Sequence, residues 1–269
     1  HYQSLVTNQP VSLPPLSIQY ADYALWQRDH IQGEVLDKQL AYWTEQLADV
    51  PVVHNLPLDF DRPLQPEYQG GSLSEALSSE VTAQVMALSN QHNVTSFMFL
   101  HAVFSLLLSR YSNNEDIVIG TPVANRSQKE VESLIGFFVN TLVLRSNSEG
   151  KDTFLDFLQH IKQVNLEAQT HQDIPFEQLV EHLKIPRSIQ YNPIFQIIFS
   201  MNPHGQETSE LEGVSFTPLN SEVCQTKFDL ELNVQVDTEG ISFEWLYDKA
   251  LFKPQTISRL NQHFHRLLN

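Results

Sequence analysis

Residues 228–247 read FDLELNVQVDTEGISFEWLY. From Phe228 to Val236 apolar and polar side chains alternate, and this period of two predicts a half-buried β-strand. Asp237 to Gly240 supplies turn-forming residues, and Ile241 to Tyr247 resumes the strand pattern, so the stretch is predicted to be a β-hairpin. Because one face of such a hairpin is apolar, we expect other elements of the fold to cover that face.

Further strands and helices are predicted upstream and downstream of the hairpin. Short apolar runs of the buried-strand type predict strands at 72–77, 117–120, 139–144 and 195–201. Helical spacing and capping residues predict helices around 20–26, at 34–47 and 79–91, from 95 or 96 onward, from 152 or 153 to 168, from 175, and from 254 to the end. The predicted fold class is therefore α/β, with a mixed sheet flanked by helices.

The composition is that of a globular protein, with 41% hydrophobic and 18% charged residues among 269. The formal net charge is −16. With no basic cluster, nucleic acid and anionic membranes are not expected as partners. Cys224 is the one cysteine, so no intrachain disulfide can form, and we expect a reducing, cytoplasmic compartment.

The sequence lacks the local signatures of several common chemistries. It has no HExxH or thiolate pattern for a metal, no GxSxG nucleophile turn, and neither GxxxxGK[ST] nor GxGxxG for a phosphate or dinucleotide. No histidine is followed by aspartate four residues later, an arrangement that would suit a general base. We therefore expect no metal, no directly bound cofactor and no catalytic residue in this chain.

Four segments together resemble the motifs of nonribosomal peptide synthetase condensation domains. Residues 20–26 read YADYALW, 135–142 read IGFFVNTL with an arginine at 145, 171–177 read HQDIPFE, and 187–193 read RSIQYNP. They are similar to YxDYAxW, IGxFVNT, HQDxPFE and RxxSxNP, in the family's order and spacing. Residues 116–126, DIVIGTPVANR, also resemble the family. The resemblance covers nearly the whole chain.

The resemblance implies a fold of two chloramphenicol-acetyltransferase-like lobes with a tunnel between them. It implies that carrier proteins dock at opposite mouths and each feeds a phosphopantetheine thioester into the tunnel. The acceptor's amine then attacks the donor's thioester carbonyl to form an amide. In the family, the second histidine of an HHxxxDG motif lies where the reacting groups meet.

The family places HHxxxDG upstream of YxDYAxW, but nineteen residues precede Tyr20 and the chain contains no HH pair. We therefore expect 1–68 to be the end of the N-terminal lobe and a crossing segment, and 69–269 to be the C-terminal lobe. By analogy, 121–134 would be a floor loop and 202–226 a latch, mobile without the other lobe. The expected partners are donor and acceptor carrier proteins, the missing lobe and a neighbouring adenylation domain; alone, the chain should be inactive.

The motifs supply candidates for residues that line the substrate tunnel. They are Tyr23, Trp26, Arg126, Gly136, Asn140, Thr141, His171, Gln172, Asp173, Arg187 and Asn192. Most also have a structural interpretation. The two aromatic candidates lie three apart, as core residues of a helix do, and Asn140 and Thr141 can bond backbone at a strand start. Asp173 is placed to cap a helix beginning at Pro175, and both arginines can pair with carboxylates.

Two other functions remain open from the sequence. The chain could be a non-catalytic lobe that binds a carrier protein. It could also be the same half of a cyclising or epimerising relative, although the intact IGFFVNT segment favours ordinary condensation. In the last motif, Tyr191 follows Gln190 where a Ser-Arg or Ser-His pair is more usual in the family. This departure leaves the amino acids that are joined undetermined.

Overall fold

The computed structural model describes residues 2–8, 10, 13–151, 153–202, 214, 224–237 and 240–269. The helices are α1 (Tyr2–Val6), α2 (Tyr20–His30), α3 (Gly33–Gln46), α4 (Ser79–Gln91), α5 (Ser96–Ser112), α6 (Phe154–Thr170), α7 (Phe176–His182) and α8 (Pro254–Leu268). The strands are β1 (Gly70–Ala76), β2 (Asp116–Val123), β3 (Asn140–Asn147), β4 (Ile197–Asn202), β5 (Leu230–Val236) and β6 (Ile241–Asp248). A short 3-10 helix covers Lys129–Val131.

The six strands form one mixed sheet in the order β1-β6-β5-β4-β2-β3. The central pairs β5–β4 and β4–β2 are parallel, while β1–β6, β6–β5 and β2–β3 are antiparallel. The predicted hairpin is the β5–β6 pair, in which Leu232 lies opposite Trp245. The α/β class and the mixed sheet are thus confirmed.

The predicted elements match the observed ones to within a few residues, with local corrections at their ends. The hydroxyl that caps α4 belongs to Ser78, which accepts a hydrogen bond from Val81 N at 3.3 Å, and not to Ser79. Helix α1 and the 3-10 helix were not predicted. In the proposed latch, residues 203–213 and 215–223 lie outside the described residues.

The main core lies on one face of the sheet, under α4, α5, α6 and α8. Alternate residues of the hairpin point into it, and Trp245 is fully buried with its Nε1 donating to Asn261 Oδ1 at 2.9 Å. The other face of the hairpin carries Glu231, Asn233 and Glu244, which are half-buried or exposed. The period of two therefore sorts an apolar face from a polar one.

A second core lies at the β3 edge of the sheet, where α3 packs against β3, α6 and α7. Trp43 and Leu47 of α3 are buried in it. At the end of α3, Arg145 donates from Nη1 to the carbonyl of Ala48 at 2.6 Å and pairs with Asp116 through Nε and Nη2, at 2.9 and 2.8 Å. These bonds neutralise the negative end of the helix and hold it against the sheet.

Helix α5 is buried almost all round because the sheet and three other helices enclose it. It begins at a Thr95 cap, whose hydroxyl accepts from Met98 N at 3.2 Å. No single helix among the described residues is long and apolar enough to span a membrane; α4 and α5 would reach that length together, but they meet at 105°.

His101 lies in the middle of α5 and is fully buried. Its Nδ1 accepts a hydrogen bond from Asn165 Nδ2 at 3.0 Å, so the ring is neutral with its proton on Nε2. Burial, aided by the charge of His160, lowers the pKa of His101 to about 3. The unfolded chain binds a proton at this residue below about pH 6.5, whereas the folded chain binds it only near pH 3.

We predict that this difference makes the fold acid-sensitive. As pH falls from about 6.5 to about 5, the free energy of unfolding should drop by roughly 1.5–2 kcal/mol more in the wild type than in His101→Gln, which cannot titrate. Urea unfolding at a series of pH values measures this slope. His182→Gln, at an exposed site, is the matched control and should keep the wild-type slope; equal slopes in all three proteins would contradict the prediction.

Candidate functional site

Three of the four motifs meet at one end of the sheet. Strand β2 ends at Val123, which lies opposite Asn140, the first residue of β3. The loop between them runs from 124 to 139, so the first three residues of the expected floor loop, 121–134, lie in β2 instead. Helix α2 packs against this loop. The loop between α6 and α7, which carries HQDIPFE, reaches the same place through Asn140.

Helix α2 holds the segment 135–139 by aromatic contacts and one hydrogen bond. The ring of Tyr23 is buried 4.7 Å from that of Phe138, and Tyr20 meets Phe138 edge-on at 5.2 Å. Tyr20 also donates its hydroxyl proton to the carbonyl of Phe137 at 2.9 Å. A Cβ at Gly136 would lie 2.2 Å from the Tyr20 ring, so this glycine is required for close approach.

Trp26 and Arg126 extend this aromatic contact in opposite directions. Trp26 lies 5.8 Å from Tyr23 and stacks on His30, but its ring stays partly exposed. Arg126 lies with its Cζ 4.1 Å above the Phe138 ring and donates to the carbonyl of Val131. Among the described residues its partners are this ring and the backbone carbonyls of Val131 and Glu132, whereas the sequence suggested a carboxylate.

The outward side of 135–139 is apolar and exposed. Ile135, Phe137 and Val139 are 95%, 77% and 52% exposed, while Phe138 between them is buried. Because α2 fixes the inner side of the segment, the outer three side chains cannot turn inward. A fixed row of large apolar side chains on a surface usually marks a contact with another surface.

Asn140 is the centre of the hydrogen bonds at this end of the sheet. Its Nδ2 donates to the carbonyls of Gln172 and Ile174, both at 2.8 Å, and its Oδ1 accepts from Phe176 N at 3.1 Å. Phe176 is the first residue of α7, so Asn140 caps this helix from a distant strand. Thr141, next to it, is half-buried opposite Pro122.

The HQDIPFE loop contacts α3 rather than an open cavity. His171 donates from Nδ1 to the carbonyl of Glu167 at 2.8 Å and stacks on Tyr42 at 4.0 Å. Trp43 Nε1 donates to the carbonyl of His171 at 2.8 Å. The side chain of Gln172 is half-buried, and its carbonyl is already bound by Asn140.

Asp173 does not cap α7, contrary to the structural interpretation of the sequence. The N-cap position is Pro175, with no side-chain bond, and Asp173 Oδ2 accepts from Gln39 Nε2 at 3.2 Å. Burial, together with the charges of Tyr20 and Asp173, raises the pKa of Tyr23. Asp173 thus faces α2 and α3, and Asn140 instead accepts from the first backbone N–H of α7.

The last motif lies at the opposite end of the sheet. It precedes β4, which runs parallel to β2, so Arg187 and Asn192 lie near the amino ends of these strands and the other candidates near the carboxyl end of β2. Arg187 is exposed. Asn192 Nδ2 donates to the carbonyl of Lys227 at 2.6 Å. The sequence candidates therefore form two groups, not one site.

An ion cluster near Asn192 was not among the predicted site residues. Asp229 is buried and accepts hydrogen bonds from Arg62 and His54. The alternation over 228–236 places Asp229 on the polar face of the hairpin, but no sequence pattern links it to residues about 170 positions away. Among the described residues, no group of three or more His, Cys, Asp or Glu side chains could hold a metal ion.

The six-stranded mixed sheet flanked by helices is a chloramphenicol-acetyltransferase-like fold, which solved condensation-domain structures share. The family model for the condensation domain matches residues 1–269. The chain belongs to the condensation domain family.

Two relatives show how small a part of a synthetase this chain resembles. A linear gramicidin synthase of Brevibacillus parabrevis is 41% identical over 269 residues, which are 99% of this chain and 4% of that protein. Malpinin synthetase of Mortierella alpina is 40% identical over 267 residues, 99% of this chain and 3% of that protein. The chain thus spans a few per cent of the length of these relatives.

Solved structures share the fold over nearly the whole chain. The X-domain in its complex with OxyB from teicoplanin biosynthesis has a TM-score of 0.87 and 25% identity, with 99% of this chain and 60% of that chain covered. The condensation domain of the monacolin K polyketide synthase MokA gives 0.83 at 22% identity, covering 99% and 63%. The epimerization domain from the third module of tyrocidine synthetase B gives 0.78 at 18%, covering 98% and 61%.

We predict that Asn140→Asp destabilises the fold by about 2–4 kcal/mol, because a carboxylate cannot donate to the two carbonyls and would face them unpaired in a buried site. Thermal and urea unfolding measure the loss. Asn147→Asp, at the exposed end of the same strand, is the matched control, since Asn147 Oδ1 accepts from Glu149 N and a carboxylate can do the same. A loss no larger than that of the control would show that the Asn140 hydrogen bonds contribute little.

Proposed function

We propose that this chain is the C-terminal part of a domain that forms peptide bonds in nonribosomal peptide synthesis. The observation that carries the proposal is the family match over the whole chain, together with relatives that are named linear gramicidin synthase and malpinin synthetase. The four motifs support it. Residues of three motifs hold the loop between β2 and β3 at one end of the sheet, and the last motif leads into β4 at the other end. The substrates would be aminoacyl or peptidyl thioesters on the phosphopantetheine arms of two carrier proteins.

In the proposed reaction, the amine nitrogen of the acceptor attacks the thioester carbonyl carbon of the donor. A C–N bond forms and the C–S bond breaks, so that the peptide passes to the acceptor and a free thiol stays on the donor arm. The amine proton leaves to a base or to solvent and a proton returns to the thiolate. Most of the rate enhancement would come from holding two tethered groups together in a cleft.

This chain would supply one side of the cleft. We assign 1–68 to the end of the N-terminal lobe and the crossing segment, and 69–269 to the C-terminal lobe. Ile135, Phe137 and Val139 form an exposed apolar row. This row supports the proposal that the other lobe covers it with an apolar surface of its own. More than a third of each related solved chain has no counterpart here, which leaves room for a second lobe.

The chain holds no HHxxxDG sequence, and we propose that this motif belongs to the other lobe. Alone, the chain would therefore bind one side of the substrates without forming amides. No resident cofactor is assigned, because the phosphopantetheine arms belong to the carriers. The polar face of the β5–β6 hairpin would face the arms from this side.

A non-catalytic binding lobe is the second candidate function. A structure with the same fold, the X-domain, is described as a complex with another protein, OxyB. That description supports the proposal that a domain with this fold can bind another protein. The epimerization domain shares the fold as well, so the fold does not separate condensation from epimerisation; the intact IGFFVNT segment favours condensation.

The test compares the 269-residue chain with a polypeptide that extends upstream through HHxxxDG. With donor and acceptor carriers loaded with aminoacyl thioesters, mass spectrometry of the acceptor arm should detect a dipeptide only for the extended polypeptide. Replacing the second histidine of HHxxxDG by alanine should lower the rate, and an N-acetylated acceptor should give no product. Amide formation by the shorter chain alone would overturn the proposal that amide formation requires the other lobe.

A further inference from the structure

A cleft of about 390 Å³ opens at the amino ends of β4 and β5, opposite the floor-loop end. Its lining comes from four separate segments: residues 65–68, the last motif, the approach to β5 and the end of β6. They contribute mainly aromatic rings, side-chain amides and hydroxyls; among the described residues of the lining, Lys227 is the one cation and Asp229 and Asp248 are the carboxylates. Such a lining suits an uncharged chain that carries amide groups.

Asp229 lies at the base of this cleft and has three hydrogen bonds to its carboxylate. Arg62 donates from Nη1 to Oδ1 at 2.9 Å and from Nη2 to Oδ2, and His54 Nε2 donates to Oδ2 at 2.8 Å. Burial opposes ionisation, but the bonds from Arg62 and His54 outweigh it and lower the pKa of Asp229. Since His54 Nδ1 accepts from Leu56 N at 3.1 Å, Nε2 is the ring nitrogen that donates to Asp229.

A chain of hydrogen bonds links Asp229 to the last motif through the buried side chain of Gln196. The backbone N–H of Asp229 donates to the carbonyl of Gln196 at 2.9 Å. His54 N donates to Gln196 Oε1 at 3.0 Å, and Gln196 Nε2 donates to the carbonyl of Asn192 at 2.8 Å. The position of Asn192 therefore depends on the ion cluster.

The backbone is strained at Tyr68, which lines the cleft, and at Ile194, two residues beyond the lining residue Asn192. Ile194 has a φ of 69° and is the middle residue of a tight turn in which Phe195 N donates to the carbonyl of Pro193 at 2.8 Å. Tyr68 has a φ of 55°. Non-glycine residues adopt such angles at an energetic cost, and they concentrate at functional sites.

We propose that Asp229 is a positioning residue for the condensation reaction, an inference that rests on the proposed function. Through Arg62 and through the His54–Gln196 hydrogen bonds, it fixes Asn192 and the wall of the cleft. The cleft then holds one of the two substrate arms while the amide forms. Asp229 itself takes no proton from the substrate, because its carboxylate oxygens are bound by Arg62 and His54.

The experiment uses the full polypeptide that includes HHxxxDG, assayed for amide formation at varied concentrations of each loaded carrier. We expect Asp229→Asn to lower kcat/KM at least tenfold for one of the two carriers while the protein stays folded. The matched control is Asp116→Asn, which breaks an arginine–aspartate pair with similar bidentate geometry between β2 and β3, away from the cleft. The control should keep kcat/KM within twofold.

A second variant, Asn192→Ala, alters the cleft wall without removing the ion cluster, and it tests the proposal even if Asp229→Asn fails to fold. It should raise KM for the same carrier with the melting temperature little changed. The proposal is overturned if Asn192→Ala has wild-type kinetics, or if Asp229→Asn and Asp116→Asn lose activity in equal proportion to their loss of stability. A wild-type polypeptide that forms no amide would instead overturn the proposed function, and the positioning role with it.

Discussion

The side-chain amide of Asn140 satisfies three backbone groups at once, and the arrangement of the carboxyl end of β2 depends on it. It caps α7, fixes the HQDIPFE loop and stands at the start of β3, directly after the exposed segment 135–139. An amide is the side chain that can do this, because it donates twice and accepts in one plane. The loop and the helix would otherwise leave buried backbone groups unpaired.

The motif residues mostly bind the protein itself. Tyr20 and Tyr23 hold the segment 135–139, Arg126 binds a neighbouring carbonyl, and Asp173 accepts from Gln39 of α3. These contacts join the helices α2 and α3 to the sheet that follows them in the chain. A rigid support of this kind is what a cleft needs if two tethered groups are to meet in a fixed geometry.

The secondary structure could be predicted from the sequence because its signals are local. The alternation at 228–236 and the cap at Thr95 each need only a few neighbouring residues to be recognised. The role of Asp173 could not be predicted. The local pattern favoured it as the cap of α7, but the side chain that caps this helix is Asn140, which lies on the distant strand β3. The Asp229 cluster also joins distant segments, so neither periodicity nor spacing indicates it.

The burial of Trp43 and Leu47 in the second core bears on the construction of hybrid condensation domains. A junction placed near residue 68, between α3 and β1, looks natural because no helix or strand is cut there. It would nevertheless separate α3 from the β3 edge on which it packs, and a foreign α3 would have to match the shape of that edge. A junction ahead of Gly33 would transfer α3 together with the sheet. The indole of Trp43 and the side chain of Leu47 would then pack against an edge from the same parent protein.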